Sequence, residues 1–323
     1  MDQPAVAILL ATYNGAKHLS AQLDSLLLQT YSNFTIHISD DASSDKTCEI
    51  IEEYAKRFPD KFMYTKNETN IGYVKNFEKL LTKCTEKYLA FCDQDDIWHE
   101  NKLSLQIAAM QELEKKFPNE ACLVHSDLRV INKDNATIKK SYFKFRGYRL
   151  KDKKDLGHVL GPCGVMGNTI LMNAQLKKVV LPFPEFLDVH DYYVAVICEL
   201  FGHRKTLNMA LIDYRIHEHN SSNNNKNFAK KNFLKKFIER KFTLPNLDTK
   251  RKIFLPPLLT IIQDKQDLKI LQSYIEYLEF KQNRFTIFIN LLRYSLVKRD
   301  LMFRTKLFFK FFWTTRYSAN DRI

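Results

Sequence analysis

The chain has 323 residues, of which 45% are hydrophobic and 27% are charged, with only 8 Gly and 9 Pro, a composition that excludes a disordered or fibrous protein. The net charge of +13 is concentrated in residues 226–323, which hold 22 Lys and Arg against 8 Asp and Glu, whereas residues 1–225 carry a net charge of −1. The six cysteines include no Cys-x-x-Cys pair, which argues against a disulfide framework or a zinc cluster and predicts reduced thiols.

The N-terminal residues do not have the pattern of an export signal, because Asp2 stands where such a signal carries positive charge. No segment contains about 18 consecutive uncharged apolar residues, which a membrane-spanning helix requires. We therefore expect a cytoplasmic protein that can lie on the inner face of the cell membrane without crossing it.

Strands and helices alternate through the first half of the chain. Residues 5–11 form a continuous apolar run, typical of a strand buried on both faces, and a polar turn over 13–15 ends it. The next predicted elements are a helix over 19–27, a strand over 34–39, a helix over 46–58, a strand over 62–66, a helix over 73–84 and a strand over 88–92. This alternation predicts an α/β fold with an open, mostly parallel sheet, which binds ligands beyond the carboxyl ends of its strands.

The second half continues this pattern and then departs from it. We predict a strand over 123–130, a loop up to residue 154, a helix over 187–201 and a strand over 210–214. Beyond Asn223–Asn225 the pattern changes to long helices. The sequence therefore predicts an α/β domain over residues 1–225 and a helical region over 226–323.

Two acidic clusters follow predicted strands. Asp93-Gln94-Asp95-Asp96 holds three carboxylates in four residues, which repel one another unless a cation compensates, so a divalent ion with oxygen ligands would fit there. The alternative is a solvated acidic turn before a helix. Asp40-Asp41 precedes Ser43, and this cluster can cap the following helix or can accept a hydrogen bond from the ring N–H of a pyrimidine.

Several motifs together resemble a known family. They are Ala11-Thr12-Tyr13-Asn14-Gly15, Gln29-Thr30-Tyr31, Ser39-Asp40-Asp41-Ala42-Ser43, Asn70-Ile71-Gly72 and Asp93-Gln94-Asp95-Asp96-Ile97-Trp98. In order and spacing they resemble the family 2 glycosyltransferases of the GT-A fold, with a Rossmann-like sheet. The segments 190–193 and 214–220 resemble those of bacterial rhamnosyltransferases in cell-wall and capsular polysaccharide synthesis. The resemblance covers residues 5 to about 225.

The resemblance implies roles for individual residues. The residues implied to bind the nucleotide sugar are Ala11, Tyr13, Asp41, Lys75, Asp93, Gln94, Asp95 and Arg215, with Asp41 on the pyrimidine ring. Asp95 would hold Mg²⁺ or Mn²⁺ on the diphosphate, with Asp93, Asp96 and His217 as further ligands. The ion would neutralise the leaving group as the sugar departs. For His217 the alternatives are a diphosphate contact and a polar surface side chain.

Asp191 matches the catalytic base of the family, which takes the proton of the acceptor hydroxyl in a single displacement that inverts the anomeric carbon. The alternative is an acidic residue in the first turn of a helix. Gly167, Asn168 and His190 are predicted to contact the acceptor. Gly161 and Gly164 precede them, and the three glycines indicate either close backbone approach to a ligand or a plain turn.

The basic C-terminal region interleaves aromatic residues with cations over 285–297 and 301–313. Such a segment suits an anionic membrane surface, with aromatic side chains inserted and the basic residues, among them Arg293, Lys298, Arg299, Arg304, Lys306 and Lys310, at the headgroups. The alternative is a helical bundle that packs on the α/β domain or forms a homodimer.

The sequence therefore predicts an inverting, metal-dependent glycosyltransferase that extends a bacterial surface polysaccharide on a lipid-linked saccharide acceptor. dTDP-rhamnose is the first expectation for the donor. Uracil and thymine present the same ring edge, so UDP-galactose and UDP-N-acetylglucosamine are alternatives. A nucleic-acid-binding protein is a remote alternative because of the basic tail, but the acidic clusters would repel phosphates, and we expect no nucleic-acid partner.

Overall fold

A computed structural model describes residues 3–217, 250–279 and 281–313. The strands are β1 (Val6–Thr12), β2 (Phe34–Asp40), β3 (Phe62–Lys66), β4 (Tyr88–Cys92), β5 (Ile97–Trp98), β6 (Ala121–Ile131), β7 (Thr137–Lys139), β8 (Leu171–Asn173) and β9 (Gly202–Arg215). The helices are α1 (Ala16–Leu27), α2 (Thr47–Arg57), α3 (Tyr73–Lys83), α4 (Lys102–Lys116), α5 (Tyr142–Arg146), α6 (Leu156–Leu160), α7 (Ala174–Val180), α8 (His190–Phe201), α9 (Arg251–Leu258), α10 (Lys265–Glu279), α11 (Arg284–Arg293) and α12 (Leu301–Trp313).

One sheet organises the molecule, in the strand order β3-β2-β1-β4-β8-β6-β9-β5, with β7 paired to β6. The strands β3, β2, β1 and β4 are parallel neighbours, and β6 and β9 form a second parallel pair. The short β8 is antiparallel to both β4 and β6. The predicted α/β fold is therefore confirmed, with an antiparallel strand inserted between two parallel parts.

This topology brings distant segments to one edge of the sheet. Because β1, β2, β4, β6 and β9 run in the same direction, their carboxyl ends share that edge. The antiparallel strand β8 begins at this edge. Helix α8 also begins at this edge, because it returns the chain to the opposite edge, where the parallel strand β9 begins. The loops after β1, β2 and β4, the turn before β8 and the first turn of α8 are thus neighbours.

The apolar periodicity explains the first elements. All but one of the seven residues of β1 are buried, as expected for a central strand covered on both faces. On α1, the side chains of Leu19, Leu23 and Leu26 are buried at helical spacing against this sheet. The strands and helices predicted up to residue 92 are confirmed within a few residues at their ends.

Three expectations for the second half need correction. The stretch up to residue 154 is not one loop, because β7 pairs with β6 and the helix α5 follows with a Ser141 N-cap. The predicted strand over 210–214 is the end of a strand of 14 residues, β9, which pairs with β6. The helix predicted from residue 187 begins at His190.

The helices after residue 250 share a hydrophobic core with the α/β domain. One cluster of buried side chains contains Phe77 and Tyr192 from that domain together with Leu255, Leu271 and Phe311 from the C-terminal helices. The predicted boundary at residue 225 lies outside the described residues. The described helices beyond it pack as a layer on the α/β domain. Among the helices so described, none combines the length and apolarity that crossing a bilayer requires.

Two glycines allow this helical layer to approach closely. A Cβ atom at Gly157 would lie 1.7 Å from the carbonyl oxygen of Tyr294, and one at Gly161 would lie 1.9 Å from that of Leu296. The sequence predicts that the three spaced glycines either approach a ligand or form a turn. One of them, Gly161, instead contacts the segment after α11. Arg299 strengthens the contact by donating from Nη1 to Oδ2 of Asp155 at 2.7 Å.

We expect Gly161→Ala to lower the free energy of unfolding by about 1–3 kcal/mol, because the added methyl group overlaps the backbone carbonyl of Leu296. Chemical denaturation followed by circular dichroism measures this loss. Glu112→Ala, on the exposed face of α4, serves as the control and should change stability by less than about 0.5 kcal/mol. Equal stability of both variants would contradict the close approach.

Candidate active site

A cleft of about 1470 Å³ lies at the carboxyl edge of the sheet. Its walls include ten of the residues that the sequence singles out, namely Ala11, Tyr13, Asp41, Asp93, Gln94, Asp95, Gly167, His190, Asp191 and His217. These residues come from six separate segments, which the topology brings to the same edge. The cleft is therefore the candidate active site.

The loops after β1 and β2 are joined by a buried carboxylate. Oδ2 of Asp40 accepts hydrogen bonds from the hydroxyls of Thr12 (2.8 Å) and Ser43 (2.6 Å), and its Oδ1 accepts one from the backbone N–H of Ser43 at 2.8 Å. Ser43 in turn accepts from the backbone N–H of Asn14 at 2.9 Å. Asp40 is fully buried, so its carboxylate fixes the shape of this wall.

Asp41 faces the cleft and organises the loop before α3. Its Oδ1 accepts from the Nδ2 of Asn67 (2.8 Å) and the N–H of Ile71 (2.9 Å), and its Oδ2 accepts from the N–H of Gly72 at 2.9 Å. Gly72 has a φ of 82°, which favours glycine. A carboxylate can accept about four hydrogen bonds, so Asp41 keeps capacity for a donor in the cleft.

Gln94 connects the acidic loop to the loop after β1. Its side-chain amide accepts from the backbone N–H of Tyr13 at 2.9 Å and donates to the carbonyl of the same residue at 3.0 Å. A Cβ atom at Gly15 would lie 2.1 Å from Oε1 of Gln94, so this arrangement requires glycine there. The Tyr13 ring is left 48% exposed at the mouth of the cleft.

Three carboxylates converge on the cleft from two segments. Burial, together with the negative charges of Asp95 and Asp191, raises the pKa of Asp93 to about 7. Asp191 lies in the first turn of α8, where Oδ2 accepts from the N–H of Gly167 at 2.9 Å and Oδ1 accepts from the N–H of Tyr192 at 2.6 Å. This concentration of negative charge favours a cation near the acidic loop.

His217 and Arg215 support Asp95 from the end of β9. Nε2 of His217 lies 2.8 Å from Oδ2 of Asp95. Arg215, predicted to contact the diphosphate, is buried instead, and its Nε donates to the carbonyl of Asp95 at 3.0 Å while its Nη1 donates to the side chain of Asn135. Through Nε and Nη1 its guanidinium therefore holds the acidic loop by contacts with protein oxygens.

Asp96 and Asn168 lie beneath the cleft. Both side chains are buried, and Nδ2 of Asn168 donates to Oδ2 of Asp96, whose Oδ1 accepts from the N–H of Arg215 at 3.2 Å. Burial and the neighbouring charges of Asp95 and Asp93 raise the pKa of Asp96 well above its usual range. Neither Asp96, predicted as a metal ligand, nor Asn168, predicted as an acceptor contact, is among the residues that line the cleft.

Lys75 does not line the cleft. It lies one residue after the buried Val74 on α3, and its ammonium is 2.8 Å from Oε2 of Glu78, one turn further along the helix. The predicted diphosphate contact therefore has no support in its position. The sequence missed three other basic residues in the cleft wall, which are Lys17, His18 and Lys133. The sequence signal for Lys17 and His18 is their place in the first turn of α1, a helix that begins directly after Gly15.

His190 lies beside Asp191 in a cage of aromatic rings. The centre of its ring is 4.4 Å from that of Phe77, 4.8 Å from that of Phe91 and 5.9 Å from that of Tyr73. Among the residues that the structure describes, neither ring nitrogen has a hydrogen-bond partner. Burial lowers the pKa of His190 to about 4, so the imidazole is neutral at pH 7 and can donate one hydrogen bond and accept another.

The donor set suits a magnesium or manganese ion. Such ions take oxygen ligands and are commonly bound through one or two carboxylates together with phosphate oxygens of a substrate. Asp95 and Asp93 supply carboxylates in the cleft wall. Burial first, and then the neighbouring carboxylates, raise the pKa of Asp93, and a cation would relieve the repulsion between these carboxylates. The residues present therefore fit the predicted ion.

Comparison with known proteins identifies relatives of the chain. The family model for glycosyl transferase family 2 matches residues 7–172, just over half of the chain. WfgD of Escherichia coli, named UDP-Glc:alpha-D-GlcNAc-diphosphoundecaprenol beta-1,3-glucosyltransferase, is 28% identical over 194 residues, which cover 60% of this chain and 69% of that protein.

Two solved structures have a similar fold. The S. aureus protein TarS (residues 1–349), in complex with UDP-GlcNAc, matches with a TM-score of 0.61 and 16% identity over 95% of this chain and 87% of that one. The mannosyltransferase PcManGT from Pyrobaculum calidifontis, in complex with GDP-Man and Mn²⁺, matches with a TM-score of 0.54 and 14% identity over 95% of this chain and 79% of that one. The predicted GT-A fold is confirmed by these likenesses.

We expect Asp41→Ala to weaken the binding of UDP by at least about tenfold, because a carboxylate that orders the 70–72 loop and faces the cleft is lost. Lys75→Ala, at a side chain that lies outside the cleft wall, should change the affinity by less than about twofold. Isothermal titration calorimetry measures both, after thermal unfolding has verified that each variant is folded. A larger loss for Lys75→Ala than for Asp41→Ala would contradict the observed arrangement.

Proposed function

Since the chain belongs to glycosyl transferase family 2, we propose that it transfers a hexose from a pyrimidine nucleotide sugar to a lipid-linked saccharide in cell-surface polysaccharide synthesis, with inversion at the anomeric carbon. The observation that carries this proposal is the shared cleft. Its wall brings together Asp41, Asp93, Asp95 and Asp191, and these four carboxylates support roles in binding a pyrimidine, holding a cation and taking a proton.

The nucleotide would bind between the loops after β1 and β2. Asp41 retains capacity to accept from the ring N–H of uracil or thymine, and the exposed ring of Tyr13 can lie against the base. Lys17 and His18 follow in the first turn of α1 and line the cleft, where the ammonium of Lys17 can attract phosphate oxygens. We propose these two residues and Lys133 as diphosphate contacts in place of Lys75 and Arg215.

A divalent cation would be held by Asp95 with Asp93 beside it, and when bound it supplies the positive charge that the leaving diphosphate needs. His217 holds one oxygen of Asp95 at 2.8 Å, so we propose that it orients this carboxylate and does not itself bind the ion. Asp96, buried beneath, fixes the start of the loop through Asn168 and the backbone of Arg215.

Asp191 would act as the base. Two backbone N–H groups, from Gly167 and Tyr192, fix its carboxylate at the cleft wall. As the acceptor oxygen attacks the anomeric carbon, Asp191 takes its proton, and the bond between that carbon and the diphosphate oxygen breaks on the opposite face. The neutral imidazole of His190 lies in the cleft wall beside Asp191 with its ring nitrogens buried, so we propose that it shapes the acceptor side of the cleft.

The donor is proposed as a UDP-hexose in the first instance. The name of WfgD gives UDP-Glc as its donor and a diphosphoundecaprenol-linked GlcNAc as its acceptor, and Asp41 would accept equally from uracil. dTDP-rhamnose, favoured by the resemblance of residues 190–193, is the second candidate. The carboxylates in the cleft would repel a nucleic-acid backbone, so we propose no such partner.

A donor screen tests the function directly. The purified protein is incubated with Mg²⁺ or Mn²⁺, a GlcNAc-diphospholipid analogue and a panel of UDP- and dTDP-sugars, and release of the nucleoside diphosphate is measured. We expect release with a UDP-hexose that depends on the acceptor. Turnover with dTDP-rhamnose alone would shift the proposal to the second donor, and no turnover with any donor and acceptor would contradict transfer.

The proposed base is tested by Asp191→Asn, which keeps the shape of the side chain but cannot take a proton. We expect kcat to fall by about 10²-fold or more while the donor KM changes by only a few-fold. Asp188→Asn, at a carboxylate three residues earlier that pairs with Lys250, is the matched control and should keep kcat within about twofold. A normal kcat with impaired donor binding would make Asp191 a binding residue only.

A further inference from the structure

Tyr73 is a half-exposed aromatic residue in the cleft to which the proposed mechanism gives no role. It is the first residue of α3 and directly follows Gly72, whose N–H donates to Asp41. Tyr73 lines the cleft and is 44% exposed. Because Asp41 orders the loop before it, the ring has a fixed place from which it can offer a face to a ligand.

Two contacts direct the side chain of Tyr73 towards α8. Its hydroxyl donates to the carbonyl oxygen of Asp188, in the segment that leads into α8. The centre of its ring lies 5.9 Å from that of His190, and the two rings meet at 69°. His190 is followed by Asp191, the proposed base. The ring of Tyr73 is therefore held on the side of the cleft where the acceptor hydroxyl would give up its proton.

Carboxylates surround this ring. Burial, followed by the negative charges of Asp191, Asp188 and Asp93, raises the pKa of Tyr73 to about 12, so its hydroxyl is neutral at pH 7. Asp188 is partly compensated by Lys250, whose ammonium lies 3.6 Å away. The charge that remains beside the ring is negative, so it would repel an acidic sugar and accommodate a neutral one.

Apolar side chains adjoin Tyr73 in the cleft wall. Phe77 and Val189 also line the cleft, and Val189 is 38% exposed. A pyranose ring with equatorial hydroxyls has faces made of C–H groups, and such faces pack on aromatic side chains while the hydroxyls point outward. This part of the wall therefore suits the face of a neutral sugar.

We propose that the ring of Tyr73 is the platform on which the acceptor saccharide lies, and that it selects a neutral pyranose with equatorial hydroxyls, the configuration of GlcNAc. The inference rests on the proposed function, because it assigns the acceptor of that reaction to one side of the cleft. A contact between Tyr73 and the nucleotide is the competing assignment. It fits less well, because the segment 188–190, next to the proposed base, holds the side chain.

Steady-state kinetics of the full-length protein test the proposal, with the GlcNAc-diphospholipid analogue as acceptor. Tyr73→Ala removes the ring, Tyr73→Leu keeps an apolar side chain without a flat face, and Tyr73→Phe keeps the ring without the hydroxyl. Phe186→Ala is the matched control, because Phe186 is 61% exposed two residues before Asp188 but does not line the cleft. Thermal unfolding verifies that each variant is folded.

We expect Tyr73→Ala and Tyr73→Leu to raise the KM for the acceptor by at least about tenfold, whereas Tyr73→Phe and Phe186→Ala leave it within about threefold. The affinity for UDP, measured by calorimetry, should stay within about threefold in all four variants, because Asp41 still orders the 70–72 loop. An unchanged acceptor KM in Tyr73→Leu, or an equal rise in Phe186→Ala, would overturn the proposal. A loss of UDP affinity without a change in acceptor KM would assign the ring to the nucleotide and also overturn it.

Saccharide binding without turnover separates this inference from the proposed function. Saturation-transfer NMR measures the binding of methyl α-GlcNAc and of methyl glucuronide to the protein in the presence of UDP and Mg²⁺. We expect methyl α-GlcNAc to bind the wild type at least about tenfold more tightly than it binds Tyr73→Leu, and methyl glucuronide to bind the wild type at least about tenfold more weakly than methyl α-GlcNAc does. If this pattern holds while no transfer occurs, only the proposed function is wrong. If transfer occurs and Tyr73→Leu keeps the wild-type acceptor KM, only the role of Tyr73 is wrong.

Discussion

The mutual repulsion of Asp93, Asp95 and Asp191 is the constraint around which the rest of the structure is arranged. Three carboxylates at the wall of one cleft cost free energy unless the backbone holds them in place and a positive ligand compensates. The protein provides the first condition. Asp191 is held by two N–H groups, and Asp95 is held through His217 and, at its carbonyl, Arg215. A positively charged ligand would meet the second condition, and its binding would be favoured by the negative charge of these carboxylates that it neutralises.

Buried polar contacts beneath the cleft hold these loops in fixed positions relative to one another. Asp40 joins the ends of β1 and β2, and Asp96 joins the end of β4 to the turn before β8 and to the end of β9. The helical layer supports the same region from the far side, because its core includes Tyr192, the residue after Asp191. Gly157 and Gly161 make that packing possible by admitting backbone carbonyls at close range.

The sequence identified the segments of the cleft because buried strands end at recognisable polar turns. Asp41, Asp93 and Asp95 were found in this way, and a parallel sheet places such strand ends together. The resemblance added Asp191, whose segment lies nearly 100 residues beyond the acidic loop. The helices after residue 250 were predicted, but their docking on the α/β domain was not. It depends on contacts such as that of Gly161 with Leu296, which no local pattern encodes.

Side-chain direction was the part that the sequence could not supply. Lys75 and Arg215 have the charge that a diphosphate needs, yet one pairs with Glu78 and the other points beneath the acidic loop. His18 has no distinctive motif, but the first turn of α1 places it at the cleft. Contacts in the folded protein decide these orientations, because charged groups pair with each other and buried carbonyl groups need hydrogen-bond donors.

The central claim is that the carboxylate pair in the cleft acts through a bound cation, and the most direct measurement is the affinity for UDP with and without one. Isothermal titration calorimetry would compare binding in Mg²⁺ or Mn²⁺ with binding in EDTA. The account predicts that the cation tightens binding by at least about tenfold, and that Asp95→Ala abolishes this gain. Equal affinity in EDTA, or a full gain in Asp95→Ala, would contradict it.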